Sequence, residues 1–193
     1  RMGPFDFVYH CAAEFGRWLV VMLDSWVLHD AGGRIGVEQL SYLRDVLRTH
    51  RNHHVLVSLH HHPIAMNSEL LDQVGLYDAD EFMTIVRQHS NVRGVLWGHV
   101  HQSLDSFIHG VRFMATPATC AQFVPGSVDF AIDDRPPGYR VLELMPDGSI
   151  ATEVCWLETY VQSKSVPTTS PTPSPTTAPP KYAVLGYMDV TPP

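Results

Sequence analysis

Three short runs of apolar residues punctuate the first half of the chain. They are Trp18–Ser25, which ends in polar residues, Val55–Leu59 and Val92–Trp97. Runs of this length, bounded by turn residues, predict buried strands. Between the runs, apolar residues recur at helical spacing in segments 36–50 and 78–88. This alternation of strands and helices predicts parallel strand pairing with right-handed crossovers.

The second part of the chain shows the alternating pattern of β-hairpins. Segment 104–114 turns at His109-Gly110, and segments 139–144 and 149–157 are separated by Pro146-Asp147-Gly148. Turn residues between alternating segments are the usual mark of a hairpin. We therefore expect an α/β fold with a β-rich carboxy-terminal edge.

Composition divides the chain into two parts. The chain has 193 residues, of which 45% are hydrophobic, and this is enough for one domain with a sizeable core. Pro, Thr and Ser dominate from about residue 163 to residue 180, and such a tract cannot form a packed core. We assign residues 1–160 to the folded domain and expect residues 161–193 to form a disordered tail.

Charge and cysteine usage restrict the partners of the protein. The net charge is −7 and no run is rich in Lys or Arg, which argues against a nucleic-acid polymer as partner. No apolar run reaches the ~18 residues of a membrane span, so we expect no membrane association. The three cysteines are widely spaced, which favours buried thiols in a reducing compartment over disulfides and predicts a cytoplasmic protein. The oligomeric state stays open.

Histidine is the unusual residue of this composition, with twelve copies in the chain. His60-His61-His62-Pro63 follows the second predicted strand directly, and Gly98-His99-Val100-His101 follows the third. The carboxyl ends of parallel strands share one edge of a sheet, where ligands bind. Imidazoles two positions apart suit metal binding, and we expect Gly98 to let the backbone bend between them. Each motif alone is weak, but the pair predicts a metal site.

The remaining histidines carry less information. His53 and His54 precede their strand, which favours a solvated turn. The others lie in predicted loops or at helix ends and are expected at the surface: His10, His29, His50, His89 and His109.

The two histidine motifs, in this order and at this separation, resemble the last two metal motifs of the calcineurin-like metallophosphoesterases. Further segments are similar to the bacterial 3′,5′-cyclic AMP phosphodiesterase branch of that superfamily. They are Leu23-Asp24-Ser25, Gly36–Leu40, Leu71–Leu76, Ala115–Phe123 and Pro137–Arg140. The resemblance implies a partial four-layer α/β sandwich.

The resemblance also implies metal ligands. His61 and His99 match ligands of one metal, and His101 matches a ligand of the other. His60 and His62 would face the substrate or support the ligands, although simple orientation of the loop explains them equally well. Two divalent ions are implied, with Fe or Mn expected and Zn or Co as alternatives.

The chain lacks three of the metal motifs that are typical of this family. DxH, GDxxD and GNHD or GNHE do not occur, and Asp24-Ser25-Trp26 matches a different position that is not a ligand. We therefore expect the carboxy-terminal half of a domain that is inactive alone. In the complete domain, the expected reaction is hydrolysis of 3′,5′-cyclic AMP, a small phosphodiester, to AMP.

Three other functions are consistent with these residues. The same fold could hydrolyse another diester, such as a glycerophosphodiester. The chain could be a non-catalytic half-domain completed by another chain. Three histidines could also hold a single zinc ion of carbonic-anhydrase type.

Overall fold

The computed structural model describes residues 10–158, so the expected tail lies outside the described residues. Its centre is a six-stranded sheet in the order β1-β2-β3-β4-β6-β5. The strands are β1 (Cys11–Phe15), β2 (Trp18–Met22), β3 (His54–Leu59), β4 (Val92–Trp97), β5 (Leu104–Ile108) and β6 (Val111–Ala115). Strands β2, β3, β4 and β6 run parallel, and β1 and β5 pair antiparallel at the two edges. The predicted α/β class is confirmed.

Helices cover one face of this sheet. They are α1 (Gly36–Thr49), the short α2 (Glu69–Asp72) and α3 (Ala79–Gln88). The apolar stripe of α1 includes the fully buried Leu43 and Leu47, and that of α3 includes Phe82 and Ile85. Both stripes belong to one cluster with the inward residues of the central strands. Burial of these periodic apolar positions explains why both segments are helical.

The other face carries a two-stranded antiparallel sheet of β9 (Gly138–Leu144) and β10 (Ile150–Trp156). A second apolar cluster joins Trp18, Leu56, Met114 and Ile150 across this interface. The buried guanidinium of Arg140 donates hydrogen bonds to the carbonyls of two residues on strands of the large sheet, Leu104 and Ala115. A small ribbon of β7 (Gln122–Phe123) and β8 (Ile132–Asp133) precedes this hairpin. The predicted β-rich carboxy-terminal edge is therefore confirmed.

Four elements escaped the sequence pattern. Strands β7 and β8 have two residues each, too few for an alternating pattern to show. Strand β1 exposes four of its five residues and has no apolar run, because it is an edge strand with little burial. Helix α2 has four residues, which is too short for helical periodicity to show. Each missed element lacks the signal on which prediction from patterns depends.

The three cysteines are free thiols, as expected. The expectation that they are buried is wrong: Cys11 and Cys120 are exposed, and Cys155 is half-buried. Cys11 lies on the exposed edge strand, and Cys120 lies in the loop after β6. Within residues 10–158, no helix combines the length and apolar character that a membrane crossing requires.

Candidate metal centre

The carboxyl ends of the four parallel strands meet at one edge of the large sheet. Ser25 lies just beyond β2, His60–His62 follow β3, His99 and His101 follow β4, and Thr116–Cys120 follow β6. The Gly98 N–H donates to the His60 carbonyl at 3.2 Å and so ties two of these loops together. The topology therefore gathers residues that are far apart in sequence.

Three imidazoles form a compact group at this edge. Ring nitrogens of His60, His61 and His99 lie within 4.8 Å of one another, so that the three could hold a metal ion. The ring centroids of His61 and His99 are 4.6 Å apart, and that of His60 is 4.9 Å from His61. His61 is buried, His99 is half-buried and His60 is exposed. The group contains two of the expected ligands, His61 and His99, and adds His60.

A tight turn positions the two histidines that follow β4. His99 has a φ of 64° and His101 a φ of 51°, in the left-handed region that residues with a side chain rarely adopt. The Val100 N–H donates to the Gly98 carbonyl at 2.6 Å and closes the turn around His99. Gly98 itself keeps an ordinary φ, so the expected bend lies at the histidines and not at the glycine. Such strain is often found at functional sites.

The nitrogens of His99 and His61 fit a metal-binding role. His99 Nε2 is buried and makes no hydrogen bond of ordinary geometry within residues 10–158, although the Val74 backbone lies close enough to the ring to raise its pKa. A buried polar atom left unpaired costs free energy, which a bound cation would offset. His61 Nδ1 lies 2.8 Å from the hydroxyl of Ser25. Metal-ligating imidazoles commonly bond to the protein through their second nitrogen in this way.

His101 lies outside the group of three. Its Nδ1 is 2.7 Å from the carbonyl oxygen of Ala121, and because a carbonyl only accepts, Nδ1 must donate. Its ring stacks on Phe123, with the centroids 4.4 Å apart. When the ring is neutral, it therefore carries its proton on Nδ1 and leaves Nε2 with a free lone pair.

His62 also lies outside the group, behind His99. The two rings stack with a centroid distance of 6.0 Å, and His62 is only 3% exposed. Its Nε2 is 3.7 Å from a carboxylate oxygen of Asp72. A Cβ on Gly75 would come within 2.9 Å of that nitrogen, so the glycine makes room for the ring.

Burial and mutual proximity keep these imidazoles neutral. Burial, and after it the neighbouring imidazoles with His61 first, lowers the pKa of His99 to about 4. Burial is also the main cause that lowers the pKa of His60, His61 and His62, although Asp72 opposes the effect at His62. Neutral imidazoles present lone pairs to a cation at neutral pH.

An open cleft of about 330 Å³ borders the group, and the sequence pattern alone did not show it. Gly98, His99 and His101 form part of its wall, and residues from the loop after β6 and from β9 form the rest: Thr116, Pro117, Ala118, Thr119, Cys120, Gly138 and Tyr139. None of these lining residues is Lys or Arg, so the cleft offers neutral and weakly polar contacts.

The other described histidines lie away from this group. His29 and His109 are exposed as expected, whereas His10, His50 and His89 are half-buried. The rings of His50 and His89 bond to carbonyls in the last turns of α1 and α3, which accounts for their burial. His53 and His54 are half-buried at the amino end of β3, opposite the metal centre. The prediction that both precede the strand is wrong for His54, which is the first residue of β3.

Comparison with known proteins gives a consistent result. No family model matches the chain. The 3′,5′-cyclic adenosine monophosphate phosphodiesterase CpdA of Vibrio vulnificus is 43% identical over 138 residues, which are 72% of this chain and 50% of that protein. The protein of the same name from Pseudomonas aeruginosa is 36% identical over 148 residues, 77% of this chain and 54% of that protein. The chain thus spans about half the length of these curated relatives.

A dimetal phosphatase from Danio rerio shares the fold, with a TM-score of 0.50 and 14% identity. The match covers 72% of this chain and 55% of the phosphatase. At this level of identity, the likeness concerns the fold alone.

Proposed function

Because this chain belongs to the calcineurin-like metallophosphoesterase superfamily, we propose that it supplies part of a two-metal site that hydrolyses a small phosphodiester, 3′,5′-cyclic AMP to AMP. The observation that carries this proposal is the convergence of His60, His61 and His99 at the carboxyl edge of the sheet. The sequence identity to cyclic AMP phosphodiesterases supports the choice of substrate.

In this proposal, His61 and His99 bind one metal ion and His101 binds the other. The 4.6 Å between the first two rings supports a shared ion. The position of His101 outside the group, with its Nδ1 held by Ala121, supports a separate ion. His60, whose exposed ring adjoins His61, completes the first ion's shell or faces the substrate. Fe or Mn is the metal that the family resemblance implies, and Zn or Co stays an alternative because imidazole alone does not discriminate among these ions.

Divalent ions held by these residues would supply Lewis-acid activation of water and of the phosphoryl oxygens. The chain's own residues provide the conditions for it. Burial lowers the pKa of His60, His61 and His99, and the left-handed turn at His99 and His101 directs two ligands to one edge. The neutral cleft beside them suits the uncharged organic part of a diester better than a further phosphate.

The candidate metal ligands of this chain are imidazole nitrogens, with few oxygen ligands beside them. The three-histidine group contains no carboxylate among the residues that the structure describes. We propose that the oxygen ligands come from a segment equivalent to the half of the curated relatives that this chain does not match.

A chimeric protein tests the proposed function. This chain is joined to the part of the Vibrio vulnificus relative that it does not match, loaded with Mn²⁺, and assayed for AMP release from cyclic AMP. We expect Mn²⁺-dependent hydrolysis that is abolished by His61→Ala, His99→Ala and His101→Ala. His53→Ala is the control, because His53 lies at the opposite end of β3.

The outcomes separate the alternatives. Hydrolysis of a glycerophosphodiester without hydrolysis of cyclic AMP would correct the substrate. A folded, metal-loaded chimera that cleaves neither diester would contradict the proposed function and favour a non-catalytic role. Equal losses in all four variants would contradict the assignment of ligands.

A further inference from the structure

Ser25 makes two hydrogen bonds to one residue, His61. Ser25 lies in the loop after β2, and its side chain is buried, with 1% of the residue exposed. Its hydroxyl lies 2.8 Å from His61 Nδ1 and accepts a hydrogen bond from the backbone N–H of His61 at 3.3 Å. A single buried hydroxyl thus holds both the ring and the main chain of an expected metal ligand.

Gly33, as well as the Ser25 hydroxyl, lies against the Nδ1 side of the His61 ring. A Cβ on Gly33 would lie 2.2 Å from Nδ1 and 2.3 Å from Cγ, so the ring packs directly on the glycine backbone. The Arg34 N–H donates to the Ser25 carbonyl at 3.0 Å and holds this loop in place. No space for a cation is left on this side of the ring, and Nε2 is the nitrogen that stays available.

We propose that Ser25 is a positioning residue that directs His61 to bind its cation through Nε2. When Nε2 binds the cation, the neutral ring must carry its proton on Nδ1. The Ser25 oxygen then accepts a hydrogen bond from this Nδ1–H group. Ser25 thereby favours Nε2 as the ligating nitrogen and limits rotation of the ring, beside the backbone of Ala31, which also interacts with the His61 ring. This inference rests on the proposed metal-binding function and adds to it a residue that the sequence analysis classed as a non-ligand position.

The test uses the full chain, labelled with ¹⁵N-histidine and titrated with Zn²⁺ alone. We expect the NMR signals of His61 to show zinc on Nε2 and a proton on Nδ1. Ser25→Ala should weaken zinc affinity about 10-fold to 100-fold, the usual effect of losing such a partner. Ser25→Thr, which keeps the hydroxyl, should restore much of the affinity.

Ser68→Ala is the matched control. Ser68 is also buried, and its hydroxyl donates to the Ser127 carbonyl at 2.8 Å, so the variant loses a comparable hydrogen bond away from the imidazoles. Its zinc affinity should equal that of the unaltered chain.

Each result decides between the two proposals. Zinc on Nδ1 of His61, or unchanged affinity in Ser25→Ala, overturns the role of Ser25 and leaves metal binding intact. Absence of any zinc effect on His60, His61 and His99 overturns metal binding by this chain, and the role of Ser25 falls with it. If Ser25→Ala does not fold, the ligating nitrogen in the unaltered chain still gives the answer.

Discussion

The imidazole rings of His61 and His99 lie 4.6 Å apart, although each follows a different strand of the central sheet. This contact exists because β3 and β4 are parallel neighbours whose carboxyl ends share one edge. Two neutral rings at this distance, one with a buried Nε2 that makes no hydrogen bond of ordinary geometry among residues 10–158, can share a cation. The contact is the basis of the first prediction.

Removing either ring should abolish tight metal binding. His61→Ala or His99→Ala should lower the affinity of the chain for Zn²⁺ or Mn²⁺ by more than about 10-fold, because a direct ligand is lost. Isothermal titration calorimetry measures the affinity. The control is His109→Asn, since His109 is exposed at a hairpin turn and Asn tolerates its left-handed backbone. An equal loss in the control would contradict the site.

The chain on its own should hydrolyse diesters poorly. Imidazoles without the carboxylate ligands of a two-metal site cannot hold both ions in place. The measurement is release of nitrophenol from bis(p-nitrophenyl) phosphate by the purified, Mn²⁺-loaded chain. Turnover equal to that of the chimera at stoichiometric metal would show that the described donors suffice.

Acid should destabilise the folded domain. The pKa of His99 falls from its ordinary value of 6.5 to about 4 on folding, so the unfolded chain binds more protons between these values. The stabilising effect is complete above about pH 6.5 and is lost as pH falls toward about 4. Thermal melts of the metal-free chain across this window should show a falling melting temperature.

His99→Asn is the control for this pH dependence. Asn also tolerates the left-handed backbone at position 99 but does not titrate, so the variant should lose part of the slope. A slope identical to that of the unaltered chain would mean that other groups govern the acid response.

A methyl group at Gly33 should damage the site. Gly33→Ala places a Cβ 2.2 Å from His61 Nδ1, so that the ring or the loop must move. We expect lower thermal stability, by about 1–3 kcal/mol as for other overpacked sites, and weaker metal binding. Gly98→Ala is the matched control at the same edge, because its Cβ would meet His60 only at an ordinary contact distance of 3.6 Å. Equal tolerance of both variants would argue against the close packing.

The parts of the fold that depend on periodicity could be predicted from sequence. The buried strands β3 and β4 and the helices α1 and α3 have apolar patterns that only one secondary structure buries well. The hairpin turn at His109-Gly110 was likewise predicted, and both residues have a positive φ. Strand β1 and helix α2 could not be predicted, because one is exposed and the other is very short.

The sequence by itself determined which residues could bind metal, since the histidine clusters at strand ends are a local property of the chain. Only the tertiary structure decided which of these histidines lie close enough together to share a metal ion. It places His60 in the group with His61 and His99. His101 lies outside the group, where its ring contacts Phe123 and the Ala121 carbonyl. Ser25 makes a hydrogen bond to His61. The physical reason is that ring orientation depends on contacts between loops distant in sequence, which no local pattern of residues encodes.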